Sequence, residues 1–221
     1  MNELIKIELK KISLKRQIGG LMIANAVIFV LLSPMLLMLA FQGETLELYL
    51  MTNHAIQSVF IIWQSILISS LVLEEFKAKT IMQLYIYPFK RLTIVNAKLV
   101  LIFILMLTFS LVTQFVQHGL FMTVSIFIPQ FSYAPSLQAI LGIVLASPFA
   151  VMLAMGTLTV GLWMKSTIAP VIASLAIVAI LSHISFISLM VHLVSVGTIG
   201  IVGLILTLIS VKGATTKDLI V

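Results

Sequence analysis

The chain has 221 residues, of which 61% are hydrophobic and only 9% charged, with a mean hydropathy of +1.23. Soluble domains average about 45–50% apolar and about 25% charged residues, so this composition excludes a water-soluble fold, a disordered tail and a nucleic-acid-binding domain, and it defines an integral membrane protein. Thirteen Lys and Arg against seven Asp and Glu give a net charge of +6, but the basic residues cluster beside apolar segments, which is a topology signal and not the footprint of a nucleic acid. The absence of cysteine excludes disulfides, thiol catalysis and Cys-ligated metals.

Residues 3–16 come first, with Leu4, Ile5, Ile7, Leu9, Ile12 and Leu14 on a broad arc that Glu8 interrupts. Their amphipathicity is moderate. Arg16 and Glu44 then enclose 27 uncharged residues, and Glu47 and Glu74 enclose 26. A bilayer crossing needs about 20 residues at about 1.5 Å of rise, so each run holds one helix. Lys98 to Lys165 encloses 66 uncharged residues and Lys165 to Lys212 encloses 46, room for two helices each. The expected architecture is all-α with six transmembrane helices, near 18–41, 55–73, 94–117, 137–162, 167–187 and 192–211. The first run is too long for a signal-peptide core, and no small-x-small cleavage site follows it, so it reads as an uncleaved span. Residues 118–136, with Gly119, Pro129, Gln130, Tyr133 and Pro135, read as an external loop containing a short interfacial helix.

With the N-terminus in the cytoplasm, all 13 basic residues fall on the cytoplasmic side and only Glu44 and Glu47 lie outside. This arrangement places both termini in the cytoplasm. Lys98 marks the inner end of the third span, and beyond it no Asp, Glu, Lys or Arg enters the spans. Ion-coupled transporters keep such a group to carry the coupling ion, so a self-powered secondary transporter is not expected, nor is a Ser-His-Asp hydrolase. Gly156 and Gly161 have half the spacing of a phosphate loop, but Leu162 and Trp163 stand where Lys and Ser or Thr are needed. Glu74, Glu75 and Lys79 loosely match the Glu-Glu-x-x-x-Arg motif of prenyl-protein-type membrane proteases, yet the paired histidine motifs of those enzymes are absent. His54, His118, His183 and His192 read as interfacial polarity at helix ends, with a metal or pH-sensing cluster as the sharper alternative.

Two faces stand out. Gly142, Ala146, Ala150 and Ala154 form a small-residue stripe on the fourth span, and Gly197, Gly200 and Gly203 repeat on the last; both suit close helix packing. On the second span Gln57, Ser58, Gln64, Ser65 and Ser69 fall within about 140° of helix circumference, flanked by Phe60. A polar stripe does not face lipid. Interhelical hydrogen bonding within the chain, a contact with a second subunit and a wet substrate path all remain open for Gln57, Phe60, Gln64, Ser65 and Ser69.

Between the second and third spans, residues 74–98 hold a segment with Ile81, Leu84 and Tyr85 on one helical face, stopped by Pro88 and followed by Lys90 and Arg91. Glu75, Thr80, Leu84, Pro88, Arg91 and Lys98 stand at the intervals common in this loop of ABC-2 type permeases, which the chain resembles; Lys79 replaces a usual Gly. The resemblance implies a single permease domain over 1–221: an elbow segment at 1–17, spans at 18–73, a cytoplasmic coupling loop at 74–93, and spans with a tail at 94–221. It implies that the loop forms a coupling helix seated in a separate ATPase subunit, with Glu75, Thr80, Leu84, Tyr85, Pro88 and Arg91 making the contact. Two ATPase copies and a second permease would complete the complex, with ATP and Mg bound by the ATPase and no cofactor in this chain. The resemblance further implies a bacterial cytoplasmic membrane and an exporter moving an amphipathic or hydrophobic substrate, as in small permeases of peptide-export and bacteriocin-immunity systems. The competing class is the six-span substrate-capture subunit of energy-coupled importers.

Overall fold

The computed structural model describes residues 5, 8–10, 12–41, 45–77, 91–128, 133, 137–185 and 189–216. Apart from short connections these are helical, and no strand occurs among them. We label the helices α1 (Leu14–Phe41), α2 (Thr45–Ile68, continuing through a π-helical stretch Ser69–Leu73 and a last turn Glu74–Lys77), α3 (Arg91–Phe127), α4 (Leu137–Met155), α5 (Thr157–Met164), α6 (Ala169–Ser185) and α7 (Leu189–Thr216). Five segments are long and apolar enough to cross a membrane: Leu14–Met35, Tyr49–Leu73, Leu92–Phe127, Ile140–Met164 and Val191–Thr215. The expected fifth span corresponds to α6, whose apolar part, Ala169–His183, is shorter than the others.

Helix α2 is central, packing against α1, α3, α4 and α6, whereas α1 packs mainly on α2 and α3 and is the least covered of the candidate spans among the described residues. Ile56, Phe60, Ile68, Val72 and Leu73 of α2 meet Ile102 and Met106 of α3, Val151 of α4, Leu158 of α5 and Val211 of α7 in the main core. The outer surface is apolar: Met22, Leu31, Phe127, Trp163 and Ile209 are among many large hydrophobic side chains left exposed. A water-soluble monomer does not carry so continuous an apolar surface, whereas a lipid-facing one does.

Two segments differ from the sequence reading. Helix α3 does not end at 117 but runs 37 residues to Phe127, taking in the first half of the expected external loop. Gly119 costs a helix about 1 kcal/mol at most, and the apolar residues after it continue the pattern. The stop comes at Pro129, which restricts Ile128 and lacks a donor. The fourth span is broken at Gly156, where i→i+3 bonds (Gly156 N to Leu153 O, 3.0 Å; Thr159 N to Gly156 O, 3.1 Å) separate α4 from α5. A Cβ at Gly156 would lie 3.1 Å from the Cα of Gly203, so the break brings two backbones together. Lys165 then takes a left-handed conformation (φ 50°) at the end of α5 and turns the chain into α6. Of the expected elbow, only residues 5 and 8–10 before Ile12 are described, all four helical, and Glu8 and Ile12 are buried.

The small-residue stripe is spent inside the chain. Ala146, Ala150 and Ala154 are buried, and α4 against α7 is the most extensive helix contact. There Gly200 lies so close that a Cβ would sit 2.5 Å from the carbonyl oxygen of Phe149.

Candidate functional site

The end of the bundle where α2 and α3 meet the connecting loop is held by charge. Lys98, two turns into α3, is 4% exposed, and its ammonium is surrounded by three oxygens. It donates to the Leu71 carbonyl at 3.0 Å, forms a close ion pair with Glu75, and lies 3.6 Å from Glu8 Oε2. An ammonium carries three N–H donors and is very costly to bury unpaired, so this surrounding set explains how a charge can sit there. Leu71 belongs to the π-helical stretch of α2, whose altered pitch redirects its carbonyls; such insertions recur at functional sites. Ser69, in the same stretch, donates to the Thr167 carbonyl in the turn between α5 and α6. Leu73 packs so closely on Gly161 of α5 that a Cβ there would collide with it and with Pro170. The last turns of α2 are thus fastened to α3, to the N-terminal segment and to the α5–α6 corner at once.

The expected loop contacts Thr80, Leu84, Tyr85 and Pro88 lie outside the described residues. Glu75 is at the foot of the loop in the ion pair just given, and Arg91 opens α3. The loop therefore leaves and re-enters at the same charged end.

Deeper in the bundle the polar stripe of α2 is bonded to other helices of the chain. Gln64 Nε2 donates to the Val151 carbonyl of α4 at 3.0 Å, and Ser65 donates to Ser174 of α6 at 3.0 Å. Gln57 lies in a chain of five side chains, all at most 2% exposed. His192 Nε2 of α7 donates to Gln57 Oε1 (3.0 Å), and Gln57 donates to Asn53 Oδ1 (3.4 Å). Gln114 of α3 donates to the same Asn53 oxygen (3.2 Å) and accepts from Ser147 of α4 (3.0 Å). Four helices are joined by neutral polar groups. Phe60 is buried beside them and stacks on Trp63. Of the uses left open for this stripe, interhelical bonding is the one these contacts express; Ser58 turns back to the His54 carbonyl instead.

Two histidines depart from the interfacial reading. His192 is buried within that chain, and His118 Nδ1 shares a hydrogen bond with the Tyr133 hydroxyl at 2.5 Å. Burial raises the pKa of Tyr133 above the ordinary phenol range, Tyr49 raises it further, and a hydrogen bond from Thr52 works the other way. Among the described residues no cluster of His, Asp and Glu could hold a metal. Sequence reasoning overlooked a second stripe on α3, where Ser110, Thr113, Gln114 and Gln117 recur at helical spacing and are all buried. Through it Asn25 of α1 is held by Thr113 (3.0 Å) and by Gln117, which donates to the Asn25 carbonyl at 2.7 Å.

An apolar exterior, a core of neutral hydrogen bonds and, among the described residues, a buried ion-pair cluster at the end where the loop departs describe a multi-pass membrane protein. The family model described as ABC-2 family transporter protein matches residues 4–182. The chain belongs to the ABC-2 transporter family. A protein of Bacillus subtilis (strain 168), the uncharacterized protein YcbO, is 35% identical over 107 residues, covering 44% of this chain and 45% of YcbO. The chain thus spans under half the length of that relative in the match. No solved structure matches. Family membership sets the chain apart from the substrate-capture subunits of energy-coupled importers, the competing class at the level of sequence.

Proposed function

We propose that the chain is the permease half of an ATP-driven exporter in a bacterial cytoplasmic membrane, with six crossings, both termini in the cytoplasm and an amphipathic or hydrophobic substrate, amphipathic peptides being the class to test first. The observation that carries this reading is the family match over residues 4–182, which contains the whole loop between Lys77 and Arg91. ATP and Mg belong to a separate ATPase, present in two copies, and a second permease completes the path. The loop seats in the ATPase through Leu84 and Tyr85, with Thr80 and Pro88 shaping it and Glu75 and Arg91 at its feet. An interior whose polar groups are neutral amides, hydroxyls and imidazole favours a lipophilic or amphipathic cargo over a small ion, which would need fixed compensating charge. On this reading the face of α2 with Gln57, Phe60, Gln64, Ser65 and Ser69 borders the substrate path or the contact with the second permease. A cysteine at Gln64 or Ser65 is then labelled by a water-soluble maleimide during turnover; labelling by lipid-phase probes alone would remove that assignment.

The central test is the loop. Burying one side chain such as Leu84 is worth about 1.5–3 kcal/mol, so Leu84→Asp loosens the ATPase at least about tenfold and export falls with it. Lys77→Ala serves as the control. Copurified ATPase measured from native membranes in mild detergent decides the matter, and unchanged association for Leu84→Asp overturns the coupling assignment.

A further inference from the structure

Lys98 holds a position that neither span formation nor ATPase contact requires. A lysine at a membrane boundary ordinarily extends its ammonium to water and lipid headgroups. This one turns inward, is 4% exposed, and is met by groups from two other parts of the chain. Glu8 precedes α1 in the N-terminal segment, and its side chain is 7% exposed. Glu75 and Leu71 belong to the last turns of α2, from which the loop departs two residues after Glu75. Helix α3, which carries Lys98, is the segment to which the loop returns.

We propose that Lys98 is a positioning residue that couples the loop to the bundle: with Glu75, Glu8 and the Leu71 carbonyl it forms a clasp through which displacement of the loop reaches α3 and the N-terminal segment together. This rests on the reading of the chain as an ABC permease whose loop engages an ATPase. The geometry supports transmission over mere anchorage for two reasons. The ammonium is bound to both sides of the loop, so a pull on Glu75 moves α3 and not only α2. The π-helical stretch beneath it is tied through Ser69 to Thr167, so the same pull is passed to the α5–α6 corner. Losing the charge leaves the loop attached by its backbone but no longer bound to three elements by one group.

The test uses the whole complex, purified from native membranes into nanodiscs with the ATPase that copurifies. Lys98→Met is compared with Lys98→Arg, which keeps the charge, and with Glu75→Gln, whose side chain is 36% exposed and whose loss leaves the buried pair with Glu8 in place. The expected result is ATPase recovery near wild type for the two Lys98 variants, with ATP turnover per recovered complex reduced at least about fivefold in Lys98→Met and Glu75→Gln and largely retained in Lys98→Arg. A purely structural role would lower yield and recovery together and leave turnover per complex unchanged. Wild-type turnover in Lys98→Met, or in Glu75→Gln where Lys98→Met does not assemble, overturns the clasp while the proposed function stands. Failure of the wild-type chain to bring down any ATP-hydrolysing subunit overturns the function first, and the clasp as a coupling element falls with it.

Discussion

Helices α2 and α7 are both long enough to cross a membrane, and they are held against their neighbours by opposite means. Helix α7 lies on α4 almost backbone to backbone, Gly200 against Phe149 and Gly203 against Gly156, with Thr207 donating to the Met155 carbonyl at 2.9 Å. Helix α2 also reaches its neighbours with polar side chains: Asn53, Gln57, Gln64 and Ser65. Between membrane helices apolar contact brings little hydrophobic gain, so close approach and hydrogen bonds are the two available sources of affinity. They differ in tolerance. A glycine seam has one geometry, since any added atom meets backbone. An amide seam has several donors and acceptors, so a bond lost at one point can be replaced at another. The helix that carries the loop is rich in exchangeable bonds, which on the proposed function suits an element that moves relative to the rest.

Breaking the glycine seam has the largest expected effect. Gly200→Val places its Cβ 2.5 Å from a carbonyl oxygen that cannot swing aside, and α4 and α7 must separate. The cost is about 3 kcal/mol, at the upper end for overpacking, and thermal unfolding in detergent should show it as a marked loss of folded chain. Gly197→Ala is the internal comparison, because its Cβ meets only the Phe149 ring at 3.9 Å, an ordinary contact. Equal losses in the two variants would mean that α7 is not seated as described.

The amide seam should give way more gently. Gln57→Leu removes one partner of His192 and one of the donors to Asn53, with an expected loss of about 1–2 kcal/mol. His192→Leu should cost less in that background than alone, since the bond between the two is already gone, and a double-mutant cycle should return a coupling of about 0.5–1.5 kcal/mol. Strict additivity would show that the two side chains do not share a bond.

The two seams were not equally legible in the sequence. The glycines and alanines of α4 and α7 announce close packing because their spacing matches the helical repeat, although not which helix each meets. The stripe on α2 is equally plain, but its partners are far away in the chain: Ser174 is 109 residues from Ser65, and His192 is 135 from Gln57. Periodicity is local and cannot report such pairings. Lys98 was visible as a loop-motif match, yet its burial was hidden because a basic residue beside an apolar run fits the topology rule without further cause. The boundaries failed where no charge marks them: at Gly156, which looks like any residue of its span, and at Gly119, which resembles the start of a loop. The pattern of charges located most of the spans, while the breaks within them depend on contacts between backbones.

The smallest expected effect is at Gly119, which belongs to neither seam, and it has the opposite sign. Gly119 lies inside α3, and a Cβ built there meets nothing within 4 Å. In a helix interior glycine is worse than alanine by about 0.5–1 kcal/mol, because the unfolded chain gives up more backbone freedom and the folded one gains no contact in exchange. Gly119→Ala should therefore raise the thermal stability of the chain in detergent slightly, in contrast to Gly200→Val and Gln57→Leu. The sign carries the information. If residues 118–127 formed the external loop that the sequence suggests, glycine would be serving a turn, and alanine would cost stability wherever that turn needs a positive φ. A measured loss in Gly119→Ala would return this stretch to the loop. A small gain would establish α3 as one helix through to Phe127, carrying its exposed apolar end beyond the part of the bundle that either seam holds.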